Sequence, residues 1–494
     1  MIWNREFSEG DGGKISVVIP ALNESATITS VVLYALSSPI VDEVIVVDDG
    51  SIDDTAELAS LAGARVITST MLGKGVSMED GTSAARNEIV LFLDADLIGL
   101  EENAIEKMAA PILRNHADFV KAKFTRNAGR VTVLTAKPLL RTYFPELRHF
   151  DQPLSGIMAA RKSLLEQLTF ENDYGVDVGL LIDASLARAR LAEVDIGAIE
   201  HRNQSLTALG DMATQVARAV MERAARASRL RASFIRESKE NERIESLTLE
   251  GLLRRLPATA EKIALFDMDG VLLNGRFIVS LAQETEKEVD LAALLDNYTM
   301  PANERMRQIA AVFTGIRKET FERVAREIPL MPDAQQTIVA LKRAGYRVGI
   351  VTDSYNVAAE VVRRRVFADF VFSHSVRFKN GKCTGKVNIC PAMVHAEGCD
   401  AHDHCKVIVL RHLREHFNLS NDHFLAVGDG ENDVCMLKEA GLSVAFMPKT
   451  RRVARAAKFR VSKMTEILNL AGILIHREDQ SCSRLLEDSQ TFAN

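Results

Sequence analysis

Ile263-Ala264-Leu265-Phe266, running straight into Asp267-Met268-Asp269-Gly270, decides how this chain is organised. The apolar run reads as a short buried strand, and the turn that leaves it places two carboxylates at its carboxyl end. Carboxylates at i and i+2 in that position suit phosphoryl transfer. One attacks phosphorus, the other moves the leaving group's proton, and both sit beside a cation. Further strands are expected at Tyr346–Thr352, Phe370–Phe372, Phe424–Val427 and Leu442–Phe446, and residues 275–330 read as an all-helical cap inserted after the first strand.

Upstream of that run the same β/α rhythm has already been completed once. Lys14–Pro20 and Glu43–Val47 are β-branched strands, each followed by a polar turn and a helical pattern, and Glu88–Leu93 is a further buried strand ending at Asp94. In an open α/β sheet the ligand lies at the carboxyl ends of the strands. Those ends carry Pro20-Ala21-Leu22-Asn23-Glu24, Asp48-Asp49-Gly50-Ser51 and Asp94-Ala95-Asp96. Acidic residues at three strand ends suit a base, a ribose and a metal-bound diphosphate. A hard cation, Mg²⁺ or Mn²⁺, takes carboxylate oxygens and bridges phosphates, which makes Asp96 its natural ligand. Lys74 in Gly73-Lys74-Gly75 sets an ammonium near the same phosphates. From Leu206 to about Leu256 the chain reads as charged helix.

A chain of 494 residues exceeds what one hydrophobic core organises, so two or more domains are expected. With 47% hydrophobic and 26% charged residues the composition is that of globular protein. A formal net charge of −6 gives no electrostatic case for a nucleic-acid or membrane partner. No apolar run reaches the roughly 18–20 residues of a membrane span, and Met1–Glu6 lacks the pattern of a signal peptide, so a cytoplasmic enzyme is expected. The six cysteines, at 383, 390, 399, 405, 435 and 482, leave most of the chain without one, which argues against a disulfide framework. Cys390, Cys399, His402, His404 and Cys405 crowd one loop, but their spacing matches no standard zinc pattern. The loop therefore reads as a surface loop with reduced thiols, with a metal clip as the alternative.

The run Ile15–Ser51 resembles the opening of family 2-type glycosyltransferases of the GT-A fold. Gly129-Arg130-Val131-Thr132, Lys137-Pro138-Leu139-Leu140, Pro145-Glu146-Leu147 and Gln152-Pro153-Leu154-Ser155-Gly156 narrow the likeness to glucosyl-3-phosphoglycerate synthases. So do Tyr174-Gly175-Val176-Asp177-Val178-Gly179-Leu180-Leu181 and Glu200-His201-Arg202-Asn203. The resemblance implies that Pro20, Ala21, Leu22, Asn23, Glu24, Asp49 and Lys74 hold uridine diphosphate. It implies that Asp94, Ala95 and the segment Tyr174, Gly175, Val176 and Asp177 line the donor sugar, and that Asp96 with His201 binds Mg²⁺ or Mn²⁺. Gly129, Arg130, Val131, Thr132 and Asn203 would hold 3-phosphoglycerate, for which a guanidinium fork is well suited. Two positions depart from the family: Asp177 stands where Glu is usual, and Ile199 where Arg is usual. The family's retention of anomeric configuration implies front-face attack.

From Ile263 onward the chain resembles the haloacid dehalogenase superfamily, nearest its phosphoserine-phosphatase-like branch. The resemblance makes Asp267 the nucleophile, Asp269 the acid/base, Thr352 a hydrogen-bond partner of the phosphoryl group and Lys406, rather than Lys386, the charge-neutralising lysine. Asp267, Asp269, Asp429 and Asp433 would surround Mg²⁺, with Asp429 a direct ligand and Asp433 in the outer shell. Thr352-Asp353-Ser354 departs from the serine and paired glycines that phosphoserine phosphatases carry. Arg305 and Arg307 on the cap face either a substrate carboxylate or solvent.

The resemblances imply an α/β chain with a GT-A domain over residues 1–225, a helical linker over 226–260 and a Rossmannoid phosphatase over 261–476 with its cap at about 275–332. A polar tail over 477–494 completes the expectation. Together they imply transfer of glucose from UDP-glucose to 3-phosphoglycerate, followed by hydrolysis of glucosyl-3-phosphoglycerate to glucosylglycerate. A GDP-mannose donor, or a phosphatase acting on an unrelated phosphomonoester, stays open. A homodimer through Leu206–Arg231 is a further expectation.

Overall fold

The computed structural model describes residues 13–125, 129–199, 206–230, 248–253, 256–295, 300, 302–394, 399, 402 and 404–473. The chain divides into two compact units, Met1–Glu242 and Arg243–Asn494.

The first unit is built on a mixed sheet of seven strands: β1 (Ile15–Ala21), β2 (Val41–Asp48), β3 (Arg65–Thr68), β4 (Ile89–Phe92), β5 (Phe119–Thr125), β6 (Met158–Arg161) and β7 (Leu191–Ala198). Their spatial order is β3-β2-β1-β4-β6-β5-β7. β6 runs antiparallel to both its neighbours, while the other pairings are parallel. The order turns back at β1, whose two neighbours lead away in opposite directions, and a crevice at the carboxyl ends is the consequence. Register brings the ends into line: Ala21 pairs with Asp48, and Val18 with Phe92, so Asn23, Asp49 and Asp94 share one edge. β1, β2 and β4 are apolar on both faces because helices cover both, and two separate clusters of buried side chains fill the two layers.

The second unit holds β8 (Lys262–Phe266), β9 (Tyr346–Tyr355), β10 (Phe370–Lys379), β11 (Lys382–Asn388), β12 (Phe424–Gly428), β13 (Leu442–Phe446) and β14 (Phe459–Val461). The order is β11-β10-β9-β8-β12-β13-β14, parallel throughout except for the β10–β11 hairpin. β8 is therefore central, and Ile263 to Phe266 are fully buried. Phe266 pairs with Ile350 on one side and Val427 on the other, which delivers Asp267, Thr352 and Asp429 to the same end. Between β8 and β9 the chain is helical at Phe277–Glu284, Glu288–Leu295, Ala302–Val312 and Lys318–Glu327, as the sequence reading expects of a cap.

Both units are α/β, and the expected strands are all present. The expected charged helix is present at Leu206–Arg226 and Leu249–Leu253. No helix among the described residues is long and apolar enough to cross a membrane. The expected tail, and His201, Asn203 and Cys482 with it, lie outside the described residues.

Candidate active sites

In the second unit the strand ends converge on a buried charge cluster. The Asp267 backbone N–H bonds the Val427 carbonyl at 3.0 Å, continuing the β8–β12 ladder one step beyond the strand. Lys406 opens the helix Lys406–Phe417 and is 1% exposed; its Nζ lies 2.7 Å from Asp267 Oδ1 and 2.7 Å from Asp433 Oδ1. Lys386, the other lysine of the intervening segment, is exposed on β11. Asp433 Oδ2 accepts the backbone N–H groups of Asp429 and Gly430 at 3.0 and 2.9 Å, so both of its oxygens are engaged. Asp433 thus braces the turn at Asp429 and Gly430.

Burial, reinforced by the Asp433 charge, pushes the Asp267 carboxyl well above the usual range, and Lys406 opposes that shift. Burial alone would pull the Lys406 ammonium down, but Asp267 and Asp433 outweigh it and hold it charged. Asp269 is pushed up to about 6 by burial, while its Oδ1 accepts the Phe277 N–H at 2.8 Å at the start of the cap. A carboxyl poised there is able to donate a proton to a leaving group and to take one from water near neutral pH. Asp269 lies outside the tight trio: the carboxylates of Asp267, Asp429 and Asp433 have oxygens within 4.8 Å of one another. Three oxygen donors at that separation, all buried, fit a hard divalent cation. Gly270, at φ +83, clears Asp429: a Cβ there would lie 2.2 Å from Asp429 Oδ2.

Thr352 is 1% exposed, and its hydroxyl accepts the Ser354 N–H at 3.1 Å. Asp353 bonds the Asn432 side-chain amide and lies 3.5 Å from His374 Nε2. Burial alone would raise its carboxyl, yet His374 and Lys406 hold it well below the usual range. Arg307 is exposed and pairs with Glu304 at 3.9 Å. Lys449, which the sequence reading does not single out, sits 2.6 Å from Asp429 Oδ2. Its signal is a cation just past the carboxyl end of β13.

In the first unit, the loops after β1 and β2 are clasped together. Asn23, in the left-handed region at φ 58, donates its backbone N–H to Ser51 Oγ at 3.0 Å and accepts the Ile52 N–H at 2.8 Å. The Glu24 N–H bonds Thr55 Oγ1 at 2.8 Å. Asp49 is 5% exposed; Oδ2 accepts the Gly73 N–H at 2.7 Å, and Oδ1 is buried without a hydrogen-bond partner. Burial pushes this carboxyl up to about 6. A buried acceptor without a partner is a candidate to receive a donor on a ligand, such as the imide N–H of a pyrimidine.

Lys74 Nζ bridges Asp94 Oδ1 at 2.8 Å and Asp177 Oδ2 at 3.2 Å. Desolvation opposes its charge, but Asp177 and Asp94 overcome it and hold the ammonium above its ordinary value. Asp177 lies in the first turn of the helix Val176–Leu186, is 5% exposed, and leaves Oδ1 unpartnered. Gly156 makes room for Asp94: a Cβ would fall 2.2 Å from Asp94 Oδ1. Lys121, absent from the sequence reading, is fully buried behind this group and donates to the carbonyls of Ser155 at 2.5 Å and Asp177 at 2.9 Å. Burial lowers its ammonium to about 8. Arg223 is likewise buried and pairs with Glu171 and Asp183, each at 2.7 Å, over Gly179. Arg130 is exposed and precedes the one-turn π-helix Thr132–Ala136, with Val131 and Thr132 buried. Tyr174 is half-exposed, and Ile199 packs into the core of its layer.

Residues 16–168 match the family described as glycosyl transferase family 2, and residues 264–438 match haloacid dehalogenase-like hydrolase. The glucosyl-3-phosphoglycerate synthase of Mycobacterium tuberculosis strain H37Rv is 39% identical over 239 residues, spanning 43% of this chain and 74% of that protein. The chain belongs to the glucosyl-3-phosphoglycerate synthase family. The synthase of Petrotoga mobilis is 31% identical over 274 residues, spanning 48% of this chain and 84% of its own length. A probable phosphoserine phosphatase of Schizosaccharomyces pombe is 29% identical over 237 residues, 47% of this chain and 75% of its own. A crystal structure of the M. tuberculosis synthase in complex with Mn²⁺, uridine-diphosphate and glucosyl-3-phosphoglycerate is 40% identical, covering 43% of this chain and 81% of that one, with a TM-score of 0.42. One chain thus carries a glycosyltransferase domain and a phosphatase domain.

Proposed function

We propose that the first unit transfers glucose from UDP-glucose to 3-phosphoglycerate and that the second removes the phosphate of the product, leaving glucosylglycerate. The observation that carries the reading is the fusion itself. A domain related to enzymes named for making a phosphorylated glucoside shares a chain with an intact set of phosphatase carboxylates around Lys406.

At the first site, Asn23, Glu24 and Asp49 receive the uridine, and Asp96, with His201, holds Mg²⁺ or Mn²⁺, which neutralises the diphosphate charge when bound. Lys74 fixes the carboxylates of Asp94 and Asp177 where hydroxyls of the sugar are received. Asp177, a methylene shorter than the usual Glu, is held by Lys74 at its carboxylate and by Lys121 at its backbone carbonyl. Arg130 and Thr132, with Asn203, hold the acceptor's phosphate and carboxylate.

At the second site Asp267 Oδ1 attacks phosphorus, the P–O bond to the glycerate breaks, and Asp269 protonates the departing oxygen. Water then cleaves the aspartyl-phosphate with Asp269 taking its proton, which releases inorganic phosphate and restores Asp267. Lys406 screens the approach of anionic nucleophile to anionic phosphate. Asp267 and Asp429 hold Mg²⁺, which supplies further charge neutralisation at the transferring group when bound. Asp353 and Ser354 stand beside Thr352 where paired glycines are usual, which argues against free phosphoserine as the substrate.

The test is incubation of the whole protein with 3-phosphoglycerate and either UDP-glucose or GDP-mannose, with products read by mass spectrometry. UDP-glucose alone yields a hexosylglycerate, and Asp96→Ala abolishes transfer while sparing hydrolysis of supplied glucosyl-3-phosphoglycerate. A product from GDP-mannose alone overturns the donor assignment.

A further inference from the structure

Three thiols and an imidazole converge in the second unit, away from the carboxylates just described. Cys399, His402, Cys405 and Cys435 place their ligand atoms within 4.8 Å of one another. Cys399 Sγ lies 3.3 Å from His402 Nδ1 and 3.6 Å from Cys435 Sγ, and Cys435 Sγ lies 3.7 Å from His402 Nδ1. A tetrahedral Zn²⁺ with bonds of about 2.3 Å to sulfur and about 2.0–2.1 Å to nitrogen requires S···S near ~3.8 Å and S···N near ~3.5 Å. Cys399, His402 and Cys435 therefore stand at three corners of a tetrahedron of zinc's size, with the Cys405 thiol within 4.8 Å of each.

The backbone between the first two ligands supports the same reading. Cys399 and His402 form an isolated bridge, with the His402 N–H on the Cys399 carbonyl at 3.2 Å, a tight turn that aims both side chains at one point. Cys405 is buried, and its N–H is tied to the Met393 carbonyl at 2.9 Å. The membership differs from the crowding visible in the sequence. Cys390 is buried in another layer and donates its N–H to His374 Nδ1, and His404 turns to Asn303 Oδ1 at 2.9 Å. Cys435 replaces them from a distant segment.

We propose that Cys399, His402, Cys405 and Cys435 bind one structural Zn²⁺. Three thiolates and a neutral imidazole close the coordination sphere, leaving no open position for a substrate. Cys405 directly precedes Lys406, and Cys435 follows Asp433 by two residues, so the metal clamps together the two segments that meet in the Lys406–Asp433 ion pair. The role is positional, with the chemistry left to the carboxylates.

The test is metal analysis of the full-length protein, purified under reducing conditions without chelator and dialysed. One zinc per chain is expected in the wild type and in Asp429→Asn, and at least a fivefold lower content in Cys399→Ser/Cys435→Ser. Cobalt exchanged into the wild type is expected to show thiolate-to-cobalt charge-transfer absorption, a readout that needs no variant to fold. Zinc removal is expected to lower the unfolding midpoint of the wild type. Zinc below one-fifth of an equivalent, zinc lost in Asp429→Asn but kept in the double cysteine variant, or a Cys399–Cys435 disulfide in the reduced preparation overturns the proposal.

Discussion

Replacing Lys406 by Met removes an ammonium that touches both Asp267 and Asp433, at 2.7 Å each. At an effective dielectric of about 20, each contact is worth about 6 kcal/mol of gross attraction, most of it offset by the desolvation of buried groups. Removing one partner leaves the others uncompensated, and such changes cost about 3–5 kcal/mol. At about 2–4 °C per kcal/mol for a unit of this size, the phosphatase unit's unfolding midpoint should fall by roughly 6–20 °C. Asp267, already pushed up by burial and by Asp433, loses the Lys406 charge that opposes that shift, which favours its protonated, non-nucleophilic form. Phosphate release from glucosyl-3-phosphoglycerate should drop by about 10²–10³ or more, while transfer by the first unit persists. Adding Asp433→Asn removes a second charge and should return most of the lost stability without returning activity. Differential scanning calorimetry and a phosphate-release assay on the same preparations check both halves. A single variant that retains activity within tenfold and melts within about 2 °C of wild type would refute the argument.

Gly156→Ala tests the packing of the first site. A Cβ 2.2 Å from Asp94 Oδ1 must displace that carboxylate from Lys74, so transfer should fall by about tenfold or more with phosphate release unchanged, read by steady-state UDP formation. Asp118 is held down to about 2 by its bonds to Arg190. A depressed folded-state value stabilises above the unfolded value of about 3.9 and is lost as pH falls towards 2. Acid unfolding of the first unit should therefore begin at higher pH in Arg190→Met, followed by circular dichroism between pH 5 and pH 2.

Where both faces of a strand are buried, the sequence shows it without help. β1, β2, β4, β8, β12 and β13 are largely apolar where they are buried, and the ends of all but β13, which leads to Lys449, carry the acidic turns that mark both crevices. Short or half-exposed strands are harder. β3 at the sheet edge reads Arg65-Val66-Ile67-Thr68, and β6 has only four residues, Met158-Ala159-Ala160-Arg161, so pairing rather than composition makes them strands. Lys121 and Arg223 look like solvated positions, since nothing local reveals the carbonyls and carboxylates that receive them from other elements. Lys406 is legible because it opens the helix before the last acidic motif. The cysteine cluster is not, because Cys435 comes from a distant segment and the local spacing misleads.

The central claim is that one chain performs two consecutive reactions, and a product analysis of Asp267→Asn supplied with UDP-glucose, 3-phosphoglycerate and Mg²⁺ tests it most directly. The wild type should yield glucosylglycerate and inorganic phosphate in step with UDP, whereas Asp267→Asn should accumulate glucosyl-3-phosphoglycerate with no phosphate released. Unchanged phosphate release by Asp267→Asn, or a wild type whose product keeps its phosphate, would contradict the account.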